Sequence, residues 1–158
     1  MANAHDVAAY VLQERGEMST WKLQKLIYYA QAWHLAWRDR PLFPEQIEAW
    51  ANGPVVRDLF RDHRGRFSVL DWPSGNPEAL TPDEKVVVDA VLGGYGALDG
   101  RQLSIITHSE RPWQEAREGL GPTDYCDRAI PLDSMQAYYS ALDVATDAEP
   151  VDEIDWAS

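Results

Sequence analysis

The chain has 158 residues, with 14 Lys and Arg against 26 Asp and Glu, and a net charge of −12. A chain of this length suits one domain that needs neither metal nor disulfide, because about 70% of the unfolded surface is buried at ~150 residues. The acidic balance disfavours autonomous nucleic-acid binding, which draws on Lys and Arg releasing counterions from phosphates, and the single cysteine, Cys126, points to a reducing, cytoplasmic setting.

Residues 5–15 read as a helix with Val7, Ala8, Val11 and Leu12 inward and Gly16 closing it. Ser19 or Thr20 caps the next helix by accepting a bond from a free first-turn N–H. That helix, over residues 20–37, is apolar on nearly every side. Leu23, Leu26, Ile27, Ala30, Trp33, His34 and Trp37 form one stripe, while Trp21, Tyr28 and Leu35 cover much of the opposite side. A helix apolar all round is buried in a domain or crosses a membrane. Lys22, Gln24, Lys25 and Gln31 argue against a bilayer. No stretch approaches the ~18 apolar residues of a span, and the N-terminus lacks the pattern of a secretory signal. This helix is therefore expected to be a buried hub, built on Leu23, Leu26, Ile27, Trp33, His34 and Trp37. His34 is expected to be neutral and bonded to a carbonyl or a tyrosine. Gln24 and Lys25 are expected to serve buried loop carbonyls, since an unpaired buried polar group costs ~1–3 kcal/mol. Asp39-Arg40-Pro41 ends the helix.

Residues 43–52 are compatible with a short strand or a helical turn, and Gly53-Pro54 reads as a turn. Residues 55–64 form a helix with Val56, Leu59 and Phe60 on one face. Arg57, Arg61, Arg64 and Arg66 make this the most basic segment of an acidic chain. Gly65 breaks it, and residues 67–72 suit a short strand. Thr81-Pro82-Asp83-Glu84 is a strong helix start, with a capping hydroxyl, proline at the first position and a glutamate that reaches back. Val87, Val88, Val91, Leu92 and Tyr95 continue it, and Gly93, Gly94 and Gly96 mark close packing or fraying at its end. Asp99-Gly100 caps a short helix over 101–109, Pro112 opens another, and 119–128 is a loop. Asp133 with Gln136 is a second cap-like pair before a last helix with Met135, Tyr138, Tyr139 and Leu142 on its face. The expected fold is mainly α: a compact single-domain bundle around a buried central helix, with at most a small β-hairpin. Residues 1–142 form the domain, and 143–158 an acidic, flexible C-terminal tail.

No catalytic constellation emerges. His5, His34, His63 and His108 are scattered, with no His-Glu-x-x-His pair and no Cys/His cluster, so neither a metal nor another cofactor is expected. No Gly-x-Ser-x-Gly elbow is present. His108-Ser109-Glu110 holds three reactive side chains in a row, but sequence neighbours do not face one another on a helix.

Leu23-Gln24-Lys25-Leu26-Ile27-Tyr28-Tyr29-Ala30-Gln31-Ala32-Trp33-His34 resembles the signature helix of the Panacea domain, the SocA-like antitoxin family. The resemblance continues through Pro41-Leu42-Phe43, Ile47-Glu48-Ala49-Trp50 and Gly53-Pro54-Val55-Val56, and then Thr107 to Trp113 and Met135 to Ser140. Where relatives resemble Pro-Glu-Leu-Tyr, this chain has Arg57-Asp58-Leu59-Phe60. The resemblance implies a small helical domain, and without a catalytic set no enzymatic activity is expected. Its partner would be a protein toxin encoded by an adjacent gene in a bacterium or phage, neutralised by direct binding. It also implies an alternative, a proteolytic adaptor that delivers the toxin to a Clp-type protease. A third reading, a transcriptional regulator using the arginines from Arg57 to Arg66, is less favoured. Turn rigidity, a tryptophan and flanking arginines make Trp50, Asn52, Gly53, Pro54, Arg57, Phe60 and Arg61 the expected toxin contact.

Overall fold

Hydroxyl, carboxylate and glycine signals at segment ends set the element boundaries. The computed structural model describes residues 1–148. Helix α1 (Ala4–Arg15) starts in a capping box between Asn3 and Asp6 and ends at Gly16. Strand β1 (Met18–Ser19) leads into the hub helix α2 (Thr20–Arg38), whose cap is Ser19, accepting from Lys22 N. Asp39 stops α2 in a left-handed conformation, φ 58°. Strands β2 (Glu48–Trp50) and β3 (Gly53–Val55) pair antiparallel as a hairpin. Helix α3 (Arg57–His63) follows, and then strand β4 (Ser68–Val69). A single 3-10 turn (Pro77–Ala79) precedes α4 (Pro82–Tyr95), which opens with the Thr81–Glu84 capping box. Helices α5 (Gly100–His108), α6 (Arg111–Ala116) and α7 (Leu132–Ala148) complete the described chain.

The fold is mainly α, with α1, α4, α5 and α7 packed around α2. Leu23, Leu26, Ile27 and His34 are fully buried and Trp33 nearly so, whereas Trp37 is half-buried and packs on Trp33 at a ring distance of 5.0 Å. Much of the aromatic content is core. Tyr28, Tyr29, Tyr95 and Tyr139 form one cluster, with Tyr29 stacked on Tyr95 at 4.0 Å. Trp33, Trp72 and Trp113 are buried, Trp21, Trp37 and Trp50 are half-buried, and Trp156 lies outside the described residues.

The polar side chains of α2 each find a partner. Gln24 clasps Val56, accepting from its N–H at 2.9 Å and donating to its carbonyl at 3.2 Å. Gln31 accepts from Leu42 N at 2.7 Å and Phe43 N at 3.3 Å and donates to Phe43 O at 2.8 Å. Lys22 donates to Gly96 O at 2.6 Å. His34 bonds through Nδ1 to Arg40 O at 2.7 Å, and burial lowers its pKa, as expected of a neutral core histidine.

Four local expectations change. The reversal in the hairpin falls at Ala51–Asn52, and Gly53-Pro54 begins the returning strand, because Trp50 pairs with Gly53 and Ala49 with Pro54. A second ladder, β1 with β4, pairs Met18 with Val69 and Ser19 with Ser68. Helix α4 passes through Gly93 and Gly94, both exposed with open space where a side chain would stand, so neither marks close packing. Helix α7 begins at Leu132, which puts Asp133 inside it. Gln136 donates instead to the Asp39 carboxylate at the far end of α2. Helix α7 runs on to Ala148. The remainder of the expected tail, 149–158, lies outside the described residues.

Candidate functional site

The hairpin and α3 bring some of the expected contact residues together. Glu48 is the local organiser. It accepts the Trp50 indole N–H at 2.8 Å and the Arg57 guanidinium at 2.8 Å. This partner holds Arg57 above the ordinary guanidinium range. Arg57 also lies 5.4 Å from the centre of the Trp50 ring, and Phe60 meets Trp50 edge-on at 4.9 Å. Behind the strand, Trp113 donates to Trp50 O and Arg117 to Ala49 O, each at 2.9 Å, which fastens the hairpin to α6. Arg61 is exposed and paired with Asp58 at 3.2 Å. Arg57 and Arg61 are thus each matched by a carboxylate. Gly53 and Pro54 are buried and present no surface. Asn52, in contrast, is exposed at the hairpin turn, held there by Ser104 Oγ donating to its carbonyl at 2.8 Å.

Asn52 leads to a feature that the sequence did not disclose. It borders an open cleft of about 560 Å³ between the first turns of α2, the first turns of α5 and the residue preceding β4. Trp21 and Phe67 supply its aromatic walls, Asp99, Arg101 and Ser104 its α5 side, and Lys25 its floor. Phe67 is 79% exposed, an unusual position for a phenylalanine. Its backbone is tied to the start of α2, where Thr20 N donates to Phe67 O at 2.9 Å.

Lys25 has no exposed surface, yet its ammonium makes a single long hydrogen bond, to Pro54 O at 3.4 Å. It stands 5.0 Å from the centre of the Trp21 ring. Burial lowers its pKa to about 7. Its chain passes directly beneath Gly53, where φ is 122° and a β-carbon would overlap Lys25 Cε. The signal in the sequence was a lysine inside a helix that is apolar on nearly every side. The walls come from segments far apart in the chain and carry no shared motif.

The other reactive side chains are occupied structurally. His108 stacks on Trp113 at 4.1 Å, Ser109 Oγ donates to Ile106 O at 2.6 Å, and Glu110 is buried under Tyr29 and Tyr139, accepting from their hydroxyls at 2.6 and 2.9 Å. Burial raises Glu110 to about 7. Cys126 is free and buried. Among the described residues, no group of three or more His, Cys, Asp or Glu side chains is placed to hold a metal ion, and no helix is long and apolar enough to cross a membrane.

A family model described as antitoxin SocA-like, Panacea domain, matches residues 23–114, more than half of the chain. The chain belongs to this family. No curated protein and no solved structure is significantly similar to it. The matched segment of this Panacea domain runs from the first turns of the hub helix to α6, and so contains the hairpin, α3, Lys25, Phe67 and the α5 side of the cleft. Helices α1 and α7 lie outside the match.

Proposed function

We propose that this Panacea domain is the antitoxin of a toxin–antitoxin pair and neutralises a protein toxin by direct contact. The observation that carries the reading is membership of the SocA-like antitoxin family. In this reading the toxin is encoded by an adjacent gene, the pair works in the cytoplasm, and the domain has no bond-making centre of its own. The structural engagement of His108, Ser109 and Glu110 supports the last point. The contact surface comprises Trp50, Asn52, Arg57, Phe60 and Arg61 on the hairpin and α3, together with the cleft that Asn52 borders. A net charge of −12 favours rapid encounter with a basic toxin.

Co-expression with the neighbouring open reading frame tests the reading. The expected result is that the neighbour arrests growth alone, that this chain restores growth, and that the two proteins co-purify with toxin half-life unchanged. A harmless neighbour, or toxicity indifferent to this chain, overturns it. Rapid loss of the toxin that depends on a Clp-type protease would replace masking with adaptor function.

A further inference from the structure

We propose that the cleft over Lys25 is an anchor pocket for one Asp or Glu side chain of the toxin, presented beside an apolar residue that packs between Trp21 and Phe67. The proposal rests on the antitoxin reading and specifies the chemistry of the partner.

The floor carries the charge argument. An ammonium has three donors, and Lys25 uses one of them, at 3.4 Å, on a neutral carbonyl. No carboxylate within salt-bridge distance compensates it among the described residues, whose ion pairs involve other groups. A buried cation left in this way is costly, so the amine tends to shed its proton and keeps it only when a counter-charge reaches it. The cleft is the open space nearest to it, and because Lys25 lines the cleft from beneath the surface, a carboxylate reaches the amine by opening its long contact with Pro54 O. The N-termini of α2 and α5 abut here, with the position of a Gly100 β-carbon lying 3.2 Å from Lys22 N and 3.3 Å from Ser19 Oγ, so two positive helix ends border the cleft, their first turns capped by Ser19 and Asp99. His63 of α3 and His108 of α5 lie within electrostatic reach of Lys25 and contribute no negative charge.

The rim adds little net charge, because Asp99 and Arg101 both line the α5 side, so the charge of the cleft rests on Lys25. The walls ask for an apolar neighbour. Trp21 is half-exposed and Phe67 79% exposed, and side chains of this kind gain most from a partner that removes them from water. A carboxylate flanked by an aliphatic or aromatic residue meets both requirements. Inorganic phosphate supplies the charge without the apolar neighbour.

The test uses the full chain with the product of the neighbouring gene. Lys25→Met keeps the apolar stem beneath Gly53 and removes the charge. It is expected to weaken the complex at least 30-fold while remaining folded. Phe67→Ala, at an exposed position, is expected to weaken it at least fivefold, and carries the test if the Lys25 variant does not fold. Replacing each toxin Asp and Glu by Asn or Gln should reveal one position whose loss weakens binding to the wild-type chain and has no further effect with Lys25→Met. Calorimetry at pH 8 in two buffers of different ionisation enthalpy should show uptake of about one proton by the wild-type pair and none by the variant. This follows because burial leaves Lys25 mostly neutral at that pH until the carboxylate arrives.

Failure of the wild-type chain to form a complex sinks the antitoxin reading. A wild-type complex that tolerates Lys25→Met, or that shows no coupled toxin carboxylate, sinks the anchor alone. A shift of the Lys25 Nζ resonance in the free chain on adding inorganic phosphate overturns the proposal in favour of a phosphate ligand. A shift caused by Asp155→Asn in the free chain overturns it in favour of the chain's own C-terminal segment.

Discussion

Gly53 lies directly over the side chain of Lys25, so that any β-carbon at position 53 would occupy the space of Lys25 Cε. The backbone of the hairpin and the buried amine of the hub are thereby fitted to one another, and φ of 122° at Gly53 is what permits the approach.

Gly53→Ala should therefore fail on two counts, backbone strain and overlap with a packed side chain. The expected loss is about 2–4 kcal/mol of folding stability. Urea denaturation of the variant against wild type measures it, and a loss below 1 kcal/mol would show that the Lys25 stem yields freely.

Lys25 makes stability depend on pH in a defined window. Its folded pKa is about 7, against 10.5 unperturbed. Below pH 7 the amine is protonated in both states, and the cost of burying the charge is felt in full. Between pH 7 and 10.5 the unfolded chain holds the proton that the folded chain has released, so stability rises with pH. From pH 7 to 9 the rise attributable to Lys25 should be about 2 kcal/mol. It should be absent in Lys25→Met. Equal slopes for the two proteins would place the amine in solvent.

Glu110 acts in the opposite sense at lower pH. Burial raises its carboxyl from 4.5 to about 7. Between those values the folded chain keeps a proton that the unfolded chain has lost, so stability falls as pH rises. Glu110→Gln should abolish this fall. Relative to wild type, the variant should gain about 2–3 kcal/mol between pH 5 and pH 7. His34, His63 and His108, whose pKa values are lowered, oppose the fall in both proteins and cancel in the comparison.

Gln31 bridges α2 to three peptide groups of residues 42 and 43. Gln31→Met keeps its volume and leaves those groups buried without partners. The expected cost is roughly 2–4 kcal/mol in chemical denaturation. Hydrogen exchange at Leu42 N–H should accelerate with it.

The structure also refines how the hairpin surface is probed. Arg57 belongs to the Glu48–Trp50 assembly, and Arg57→Glu would place two carboxylates together and destabilise the hairpin. Arg61 is exposed and paired only across one helical turn, so Arg61→Glu should leave the thermal midpoint within a few degrees of wild type. A several-fold weaker toxin complex with that variant would place α3 in the contact. Unchanged affinity would remove α3 from it.

Features with local causes were legible in the sequence. The starts of α2, α4 and α5 follow from hydroxyls, carboxylates and proline within four residues, and the burial of α2 follows from its own spacing. The features that escaped depend on distant partners. The β1–β4 ladder joins two-residue strands 50 positions apart, too short to show alternation. Gly53-Pro54 carries the composition of a turn, but its glycine is used to clear Lys25, and the reversal happens two residues earlier. Asp133 and Gln136 have the spacing of a cap, but the last helix had already begun. Of the expected contact residues, Trp50, Arg57 and Phe60 are adjacent, whereas Gly53 and Pro54 are buried. The cleft itself was invisible, because four separate segments build it.

Gln24 and Gln31 hold residues 42, 43 and 56 by their peptide groups, and Gln24 also bonds the His63 ring at 3.0 Å. Peptide groups are common to every residue type, proline excepted, so the bonds to Leu42, Phe43 and Val56 are blind to the side chains at those positions. Such a frame can exchange the side chains at positions 42, 43 and 56 and keep the bonds that fix the path of the chain around the hub.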